Sequence, residues 1–350
     1  MSRTAAPILR GAVPVLVMPF DEDGALDEDS LRRELDFCLE AGAQAVCFGM
    51  ASESSLLTDS ERARVWTLAA RHLDGRVPLV AATAHASREG TIALTHLARE
   101  CGADCAMVNP QPLGGDQLVA LFRDLSDRVR LPLMVQDAGG NAPAPVLLRA
   151  VLEAPAVCSL KIESPGAPLK IAEVVASLRG RGLLAGAEGT DGHGANGETG
   201  GAGAAQQTAA GQERRVTVLG GANGSFLPEE IERGAAGTMP HPGIIDGFRA
   251  VCDRYAAGDA RGGYDLYVRV VLPVLRAAAV AGGGEGGAGG AFIWLHKALL
   301  QRAGVLRTTY CRGMASPVPA PVVDQVLRHL DGAGADLLIA RLLRRAPAKP

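Results

Sequence analysis

The sequence predicts an α/β protein, a (β/α)8 TIM barrel with a C-terminal helical appendage, and a doubly wound open sheet is the alternative architecture. Three observations lead there. Short apolar runs alternate with helical patterns from Val13 to about residue 256, which calls for parallel strands joined by helical crossovers. Those runs number eight, the strand count of a closed barrel. After Gly258 the strand pattern stops and only helical patterns follow. The expected organisation is a barrel over residues 1–258 with a low-complexity insertion at 185–212, then a helical region over 259–350 with a glycine-rich loop at 281–290.

The elements follow in order. Residues 13–20 form a first strand closed by the acidic turn 21–24, and Asp27 or Asp29 caps a helix whose apolar positions Leu31, Leu35, Phe37, Cys38 and Leu39 run to Gly42. Residues 45–49 form the second strand, followed by the loop 50–54 and a helix from Asp59 with Glu61 in its first turn. Strands at 78–82, 104–108 and 131–135 lead to helices at 91–100, 117–129 and 145–152. The strand from Val157 leads to a helix at 168–178. Parallel sheets bury both faces, which suits such continuous apolar runs. Residues 185–212 consist mainly of Gly, Ala, Thr, Gln and Glu with almost no large apolar side chain, so they cannot offset their ordering entropy and are expected to be mobile. Strands resume at 216–219 and 236–239, with helices near 228–233 and 244–256. Three or four helices are expected after that, near 262–280, 292–303, 321–331 and 335–345.

Composition removes several function classes. With 350 residues, 47% hydrophobic and 21% charged, the chain can build a large core, and a net charge of -3 offers no electrostatic grip on nucleic acid or an anionic membrane. No apolar run reaches the length of a membrane span and the N-terminus lacks a secretory apolar region, so a cytoplasmic location is expected. The seven cysteines are scattered through apolar patterns and read as small buried hydrophobes. Neither they nor the histidines have metal-ligand spacing, so no metal and no cofactor are expected.

The stretch Val157-Cys158-Ser159-Leu160-Lys161-Ile162-Glu163-Ser164-Pro165 carries the chemistry. A lysine at the end of a buried strand sits where desolvation disfavours its charge, which makes its amine a nucleophile able to form a Schiff base with a ketone. Strand side chains alternate faces, so Glu163 projects to the same side as Lys161. Read alone, the same lysine could mark a strand end and reach out to water.

The wider pattern resembles the dihydrodipicolinate synthase and N-acetylneuraminate lyase superfamily of Schiff-base-forming barrels. Val17-Met18-Pro19-Phe20 resembles the family's T-P-F start, and Gly49-Met50-Ala51-Ser52-Glu53-Ser54 with Leu57-Thr58-Asp59-Ser60-Glu61-Arg62 resembles its G-T-T-G-E-S loop and L-T-x-x-E-R. Leu160-Lys161 falls where that family places its Schiff-base lysine; residues 223–241, Lys297 and Cys311-Arg312 follow its C-terminal half more loosely. The resemblance implies a lyase acting on a small 2-keto acid, assembled as a homodimer or homotetramer, with the backbone N–H groups of Met50 and Ala51 binding the substrate carboxylate.

Departures from the pattern narrow the activity. Where the family has Tyr-Asn after the fifth strand, with the tyrosine moving a proton, this chain has Gln136-Asp137. The G-T-T hydroxyls are replaced by Met50 and Ala51, the Pro-Tyr-Tyr segment reads Asn109-Pro110-Gln111-Pro112, and Gly139-Gly140-Asn141 stands where the synthase has its arginine. A glutamine cannot give and recover a proton near neutral pH, so true synthase activity is not expected. Gln136-Asp137 combined with Lys161-Ile162-Glu163-Ser164-Pro165 resembles the branch acting on 2-keto-3-deoxy sugar acids by dehydration or aldol cleavage.

Lys161, Gln136 and Glu163 are therefore the expected catalytic residues, and Met50, Ala51, Asp137 and Gly221 the expected substrate contacts. Each has a plainer reading. Glu163 could pair with a surface cation, Asp137 could cap the next turn, His85 and His241 could be ordinary loop histidines, and Gln136 could orient substrate or water. Glu53 is expected to hold its loop through backbone N–H groups. Gly220-Gly221-Ala222-Asn223-Gly224 could be a phosphate loop, although a glycine there also serves backbone geometry alone. A barrel that has lost catalysis and survives as a keto-acid-binding or interaction protein is the competing reading, motivated by the missing relay and opposed by the retained Lys161.

Overall fold

In a computed structural model the described residues are 6–139, 142–185, 214–283, 290–313, 317–332 and 337–345. The expected insertion at 185–212 lies outside them apart from Ala185, as does most of the glycine-rich loop at 281–290, and so does Asn141. The barrel elements alternate: β1 (Gly11–Ala12), α1 (Glu28–Glu40), β2 (Val46–Phe48), α2 (Asp59–Leu73), β3 (Leu79–Ala82), α3 (Arg88–Glu100), β4 (Cys105–Val108) and α4 (Gly115–Val129). They continue with β5 (Leu133–Asp137), α5 (Ala144–Glu153), β6 (Val157–Ile162), α6 (Ala167–Gly180), β7 (Thr217–Gly220), α7 (Leu227–Glu232), β8 (Gly237–Thr238) and α8 (Ile245–Ala256).

All strand pairs are parallel, in the order β1-β8-β7-β6-β5-β4-β3-β2. A parallel bridge between Val15 and Cys47, with hydrogen bonds from Leu16 N to Cys47 O and Cys47 N to Pro14 O of 2.9 Å each, brings β2 back to the segment after β1. The sheet thus curls round on itself as a (β/α)8 barrel, and the open-sheet alternative falls away. The assigned first strand, Gly11–Ala12, lies ahead of the expected run 13–20; beyond it Val13 N and Val15 N still donate to Thr238 O and Pro240 O, but Pro14 and Pro19 have no N–H to give the ladder.

Local chemistry fixes the helix starts. Asp27 accepts from Ser30 N at 3.0 Å to cap α1, and Thr58 and Glu61 form a reciprocal capping box at the start of α2 with bonds of 3.2 and 3.0 Å. Ser87 accepts from Gly90 N at 3.1 Å, which starts α3 at Arg88, ahead of the apolar stripe that the sequence offers.

Leu9, Val13, Val15, Cys47, Val80, Cys105, Met107, Met134, Cys158 and Leu219 fill the barrel interior. Five of the seven cysteines are buried and two half-buried, all free, and burial pushes the Cys47 thiol up to about 12. After α8 no strand occurs among the described residues, which are helical apart from turns and the coil at 303–313 and 317–319. α9 (Ala260–Leu266) passes through a π-helical turn, Tyr267–Val271, into α10 (Leu272–Ala278), so the wider turn falls just ahead of Pro273, which cannot donate a helical hydrogen bond. α11 (Gly290–Arg302), α12 (Ala320–Gly332) and α13 (Leu338–Arg345) follow. Their apolar faces share one core with α1, α2 and α8.

Candidate active site

A cavity opens at the C-terminal ends of the strands, the face where such barrels place chemistry. Lys161, Gln136, Glu163, Met50, Ala51 and His241 all line it, with Asn223 from the loop after β7 and Ile293 from α11. Parallel register sets Lys161 of β6 between Gln136 of β5 and Leu219 of β7. Lys161 is only 5% exposed, so it does not reach bulk water as a strand-end lysine would.

Glu163 is where strand parity puts it. Its Oε1 lies 2.8 Å from Lys161 Nζ and accepts from Gln136 Nε2 at 2.6 Å, while Oε2 accepts from the Ala222 N–H at 3.0 Å. Burial opposes its ionisation, but the Lys161 charge and these donors outweigh burial and hold the carboxyl below the ordinary glutamate range. Gly221 makes this possible: a Cβ there would lie 2.3 Å from Glu163 Oε2. That close approach explains the glycine without a substrate contact. The N–H groups that a phosphate loop would offer are also partly committed, since Ala222 gives its own to Glu163.

Met50 and Ala51 open a short 3-10 turn, so their N–H groups have no partner within it. Ser52 and Ser54 fix that turn: Ser52 Oγ accepts from Gly49 N at 3.1 Å, and Ser54 Oγ donates to Gly49 O at 2.8 Å. Glu53, expected to hold its own loop, reaches the C-terminal region instead. Its carboxylate accepts from Gly313 N at 2.9 Å and lies 2.6 Å from Lys297 Nζ. Lys297 is fully buried and also donates to Tyr310 O at 2.6 Å.

Asp137 is not brought to the cavity. Its carboxylate accepts from Ala142 N at 2.9 Å, Ser164 Oγ at 2.6 Å and Lys170 Nζ at 2.7 Å, which is the turn-capping role open to it from sequence. Successive strand residues face opposite ways, so with Gln136 inside, Asp137 points to the helix layer. His85 is exposed and bonded to Ser87 at 3.1 Å, away from the lining residues.

His241 does line the cavity. Its backbone N–H donates to Asn223 Oδ1 at 2.7 Å, and its ring stands edge-on to His296, with centroids 4.9 Å apart, and to Phe292 at 6.1 Å. Behind the cavity wall, Glu230 of α7 is fully buried against Gly220, and among the described residues neither of its carboxyl oxygens has a hydrogen-bond partner. Burial, reinforced by the nearby Glu163, pushes its carboxyl up to about 8, so it is protonated at neutral pH.

Sequence reasoning missed His296 and Glu230 as members of this neighbourhood, and it marked Lys297 by resemblance alone, with no partner or role. Lys297 and His296 sit in an ordinary helical pattern, and Glu229-Glu230 reads as acidic residues in a first helical turn; no local signal betrays a partner 50 to 250 residues away. Among the described residues no group of three or more His, Cys, Asp or Glu could hold a metal ion, and no helix is long and apolar enough to cross a membrane.

The barrel and its lysine-bearing cavity define the class to which known proteins can be compared. Residues 8–120 match the Dihydrodipicolinate synthetase family. The chain is 28% identical over 285 residues to L-2-keto-3-deoxyarabonate dehydratase of Azospirillum brasilense, covering 79% of this chain and 81% of that protein. It is 33% identical over 144 residues to 4-hydroxy-tetrahydrodipicolinate synthase of Pseudomonas aeruginosa, covering 40% of this chain and 49% of the synthase, so it spans about half of that relative. The crystal structure of dihydrodipicolinate synthase from Rhodopseudomonas palustris has the same fold, with a TM-score of 0.74, 22% identity, and coverage of 92% of this chain and 97% of that one. The chain is thus similar to the Dihydrodipicolinate synthetase family over residues 8–120, and it shares the fold of a solved dihydrodipicolinate synthase.

Proposed function

We propose that the protein is a lyase acting through a Schiff base on Lys161, and that its substrate is a 2-keto-3-deoxy-type acid which it dehydrates. The observation that carries this reading is the Lys161–Glu163–Gln136 cluster: a buried amine with a carboxylate 2.8 Å away, at the open end of a barrel. Glu163 takes a proton from Lys161, the freed amine attacks the C2 carbonyl, and the carbinolamine loses water with the proton returned by Glu163. The resulting cationic imine draws electrons from C3, where a carbanion is then stabilised, and loss of the hydroxyl on C4 completes a β-elimination. Met50 and Ala51 offer two N–H groups to the substrate carboxylate, a role that needs no hydroxyl side chains. Gln136 orients Glu163 and does not move a proton.

Dehydration is preferred over synthase activity for two reasons. The relative matched over most of both chains acts, by name, on a 2-keto-3-deoxy acid. Among the described residues lining the cavity, Lys161 is also the sole cation apart from histidine, so nothing is placed to hold the carboxylate of a second, incoming substrate. The test is turnover of 2-keto-3-deoxypentonates against condensation of pyruvate with aspartate semialdehyde. Consumption of the sugar acid with little condensation is expected, and efficient condensation would contradict the assignment.

A further inference from the structure

We infer that His241 is the acid of this reaction: it protonates the departing hydroxyl on C4, while His296 holds its ring in place. This rests on the Schiff-base reading above and deepens it.

Elimination needs two groups, one to take the C3 proton and one to give a proton to the oxygen that leaves. Glu163 serves the first role. Its Oε1 accepts from both Lys161 and Gln136 and its Oε2 from Ala222. When Lys161 becomes an imine its three donors fall to one, which frees a lone pair of Glu163 beside the imine carbon and hence beside C3. The same carboxylate, tethered on both oxygens, is poorly placed to serve the far end of the substrate as well. Among the described residues that line the cavity, three carry an ionisable side chain: Lys161, Glu163 and His241. His241 stands after β8, across the loop that follows β7 from the Lys161 pair.

A second observation points to a ligand at that end. Asn223, 5% exposed, spends its Oδ1 on the His241 N–H, and among the described residues its Nδ2 has no hydrogen-bond partner. A buried donor left unpaired is costly, and a substrate hydroxyl between Asn223 and His241 would satisfy it. Ala222 and Asn223 both adopt left-handed backbone, at φ 47° and 55°, an unfavourable pair that is held because Ala222 fixes Glu163 and Asn223 fixes His241.

His296 completes the arrangement as a positioning residue. Gly243 N–H donates to its Nδ1 at 3.2 Å, so the neutral ring carries its hydrogen on Nε2. Burial, then the neighbouring His241, holds its pKa well below the usual histidine range. Of the two rings it is His241 that borders the cavity, with His296 packed edge-on behind it.

The bonds balance. The C3–H bond breaks, its proton passing to Glu163 and its electrons forming the enamine. The C4–O bond then breaks and its electron pair leaves with oxygen, which takes the proton of the His241 imidazolium and departs as water. The enamine electrons form the C3–C4 double bond and restore the cationic imine. Glu163 returns its proton to water and His241 regains one.

The experiment pairs two readouts on wild type, His241→Asn, His296→Phe and Glu163→Gln. Exchange of the pyruvate methyl protons in D2O reports imine formation and C3 deprotonation without any hydroxyl. Turnover of a 4-hydroxy-2-keto acid reports the whole elimination. His241→Asn is expected to keep exchange and lose roughly 100-fold or more of turnover, and the retained exchange shows that the variant is folded. His296→Phe keeps ring packing and is expected to lower kcat on the hydroxylated acid with KM and exchange unchanged. Glu163→Gln is expected to lose both readouts. Wild-type turnover in His241→Asn, or parallel loss of exchange and turnover, would overturn the assignment of His241. Absence of exchange in wild type would instead defeat the Schiff-base reading, and the assignment with it.

Discussion

Glu163 shows how much a single residue's surroundings decide. Two hydrogen-bond donors, Gln136 and Ala222, and the neighbouring Lys161 ammonium favour its ionised form despite burial. On the proposed mechanism it accepts a proton from Lys161 and later from C3, so conversion to Gln is expected to lose roughly 100- to 10,000-fold in turnover, with substrate still bound. Steady-state kinetics checks this, and full activity in Glu163→Gln would remove its role. The position was legible from sequence because strand parity needs only the alternation rule. Gln136, one strand over, was singled out by its match to the tyrosine position of the resembling family. Asp137 and Gly221, expected as substrate contacts, have structural partners that spacing cannot reveal. Asp137 turns to Lys170 and Ser164 on the outer face, and Gly221 is small because Glu163 leans on it.

At the scale of elements, α11 ties the C-terminal helices to the barrel mouth. It contributes Ile293 to the cavity, Phe292 and His296 beside His241, and Lys297 to Glu53. Lys297 is fully buried and Glu53 only 5% exposed, so removing the cation alone strands a buried carboxylate. Lys297→Met is expected to destabilise the fold by about 3–5 kcal/mol, and the double variant Glu53→Gln, Lys297→Met by much less. Urea unfolding of both variants measures the difference; equal losses would show that the pair acts through packing alone. The strand and helix order was readable from apolar periodicity, and the caps Asp27 and Thr58 from residue type. The fine boundaries were not. The displaced β1, ahead of the expected run, and the early start of α3 depend on missing proline donors and on one serine hydroxyl.

For the whole molecule, two buried carboxyls set an unusual pH response. Burial raises Glu34 and Glu230 from 4.5 to about 8, so between those values the folded state holds more protons than the unfolded one. Stability from these groups is therefore full below about pH 4.5 and falls as pH rises towards 8. Glu61, paired with Arg312 and lowered from 4.5 to about 2, acts in the opposite sense: its contribution is present above about pH 4.5 and is lost on acidification. The urea midpoint is expected to peak in mildly acidic solution, and Glu230→Gln is expected to flatten the decline above it. An unchanged slope in that variant would mean that Glu230 does not hold the extra proton. The fold class was legible as a whole because eight apolar runs alternate with helices, whereas ring closure depends on the Val15–Cys47 bridge, which no spacing announces.

All of the proposed chemistry depends on one covalent bond, so the most direct measurement is reductive trapping. The protein is incubated with pyruvate and borohydride, digested, and the modified peptide mapped by mass spectrometry, with Lys161→Ala as control. The account predicts a reduced pyruvate adduct on Lys161 in wild type and none in the variant. An adduct on another lysine, or none on a folded wild-type protein, would contradict it.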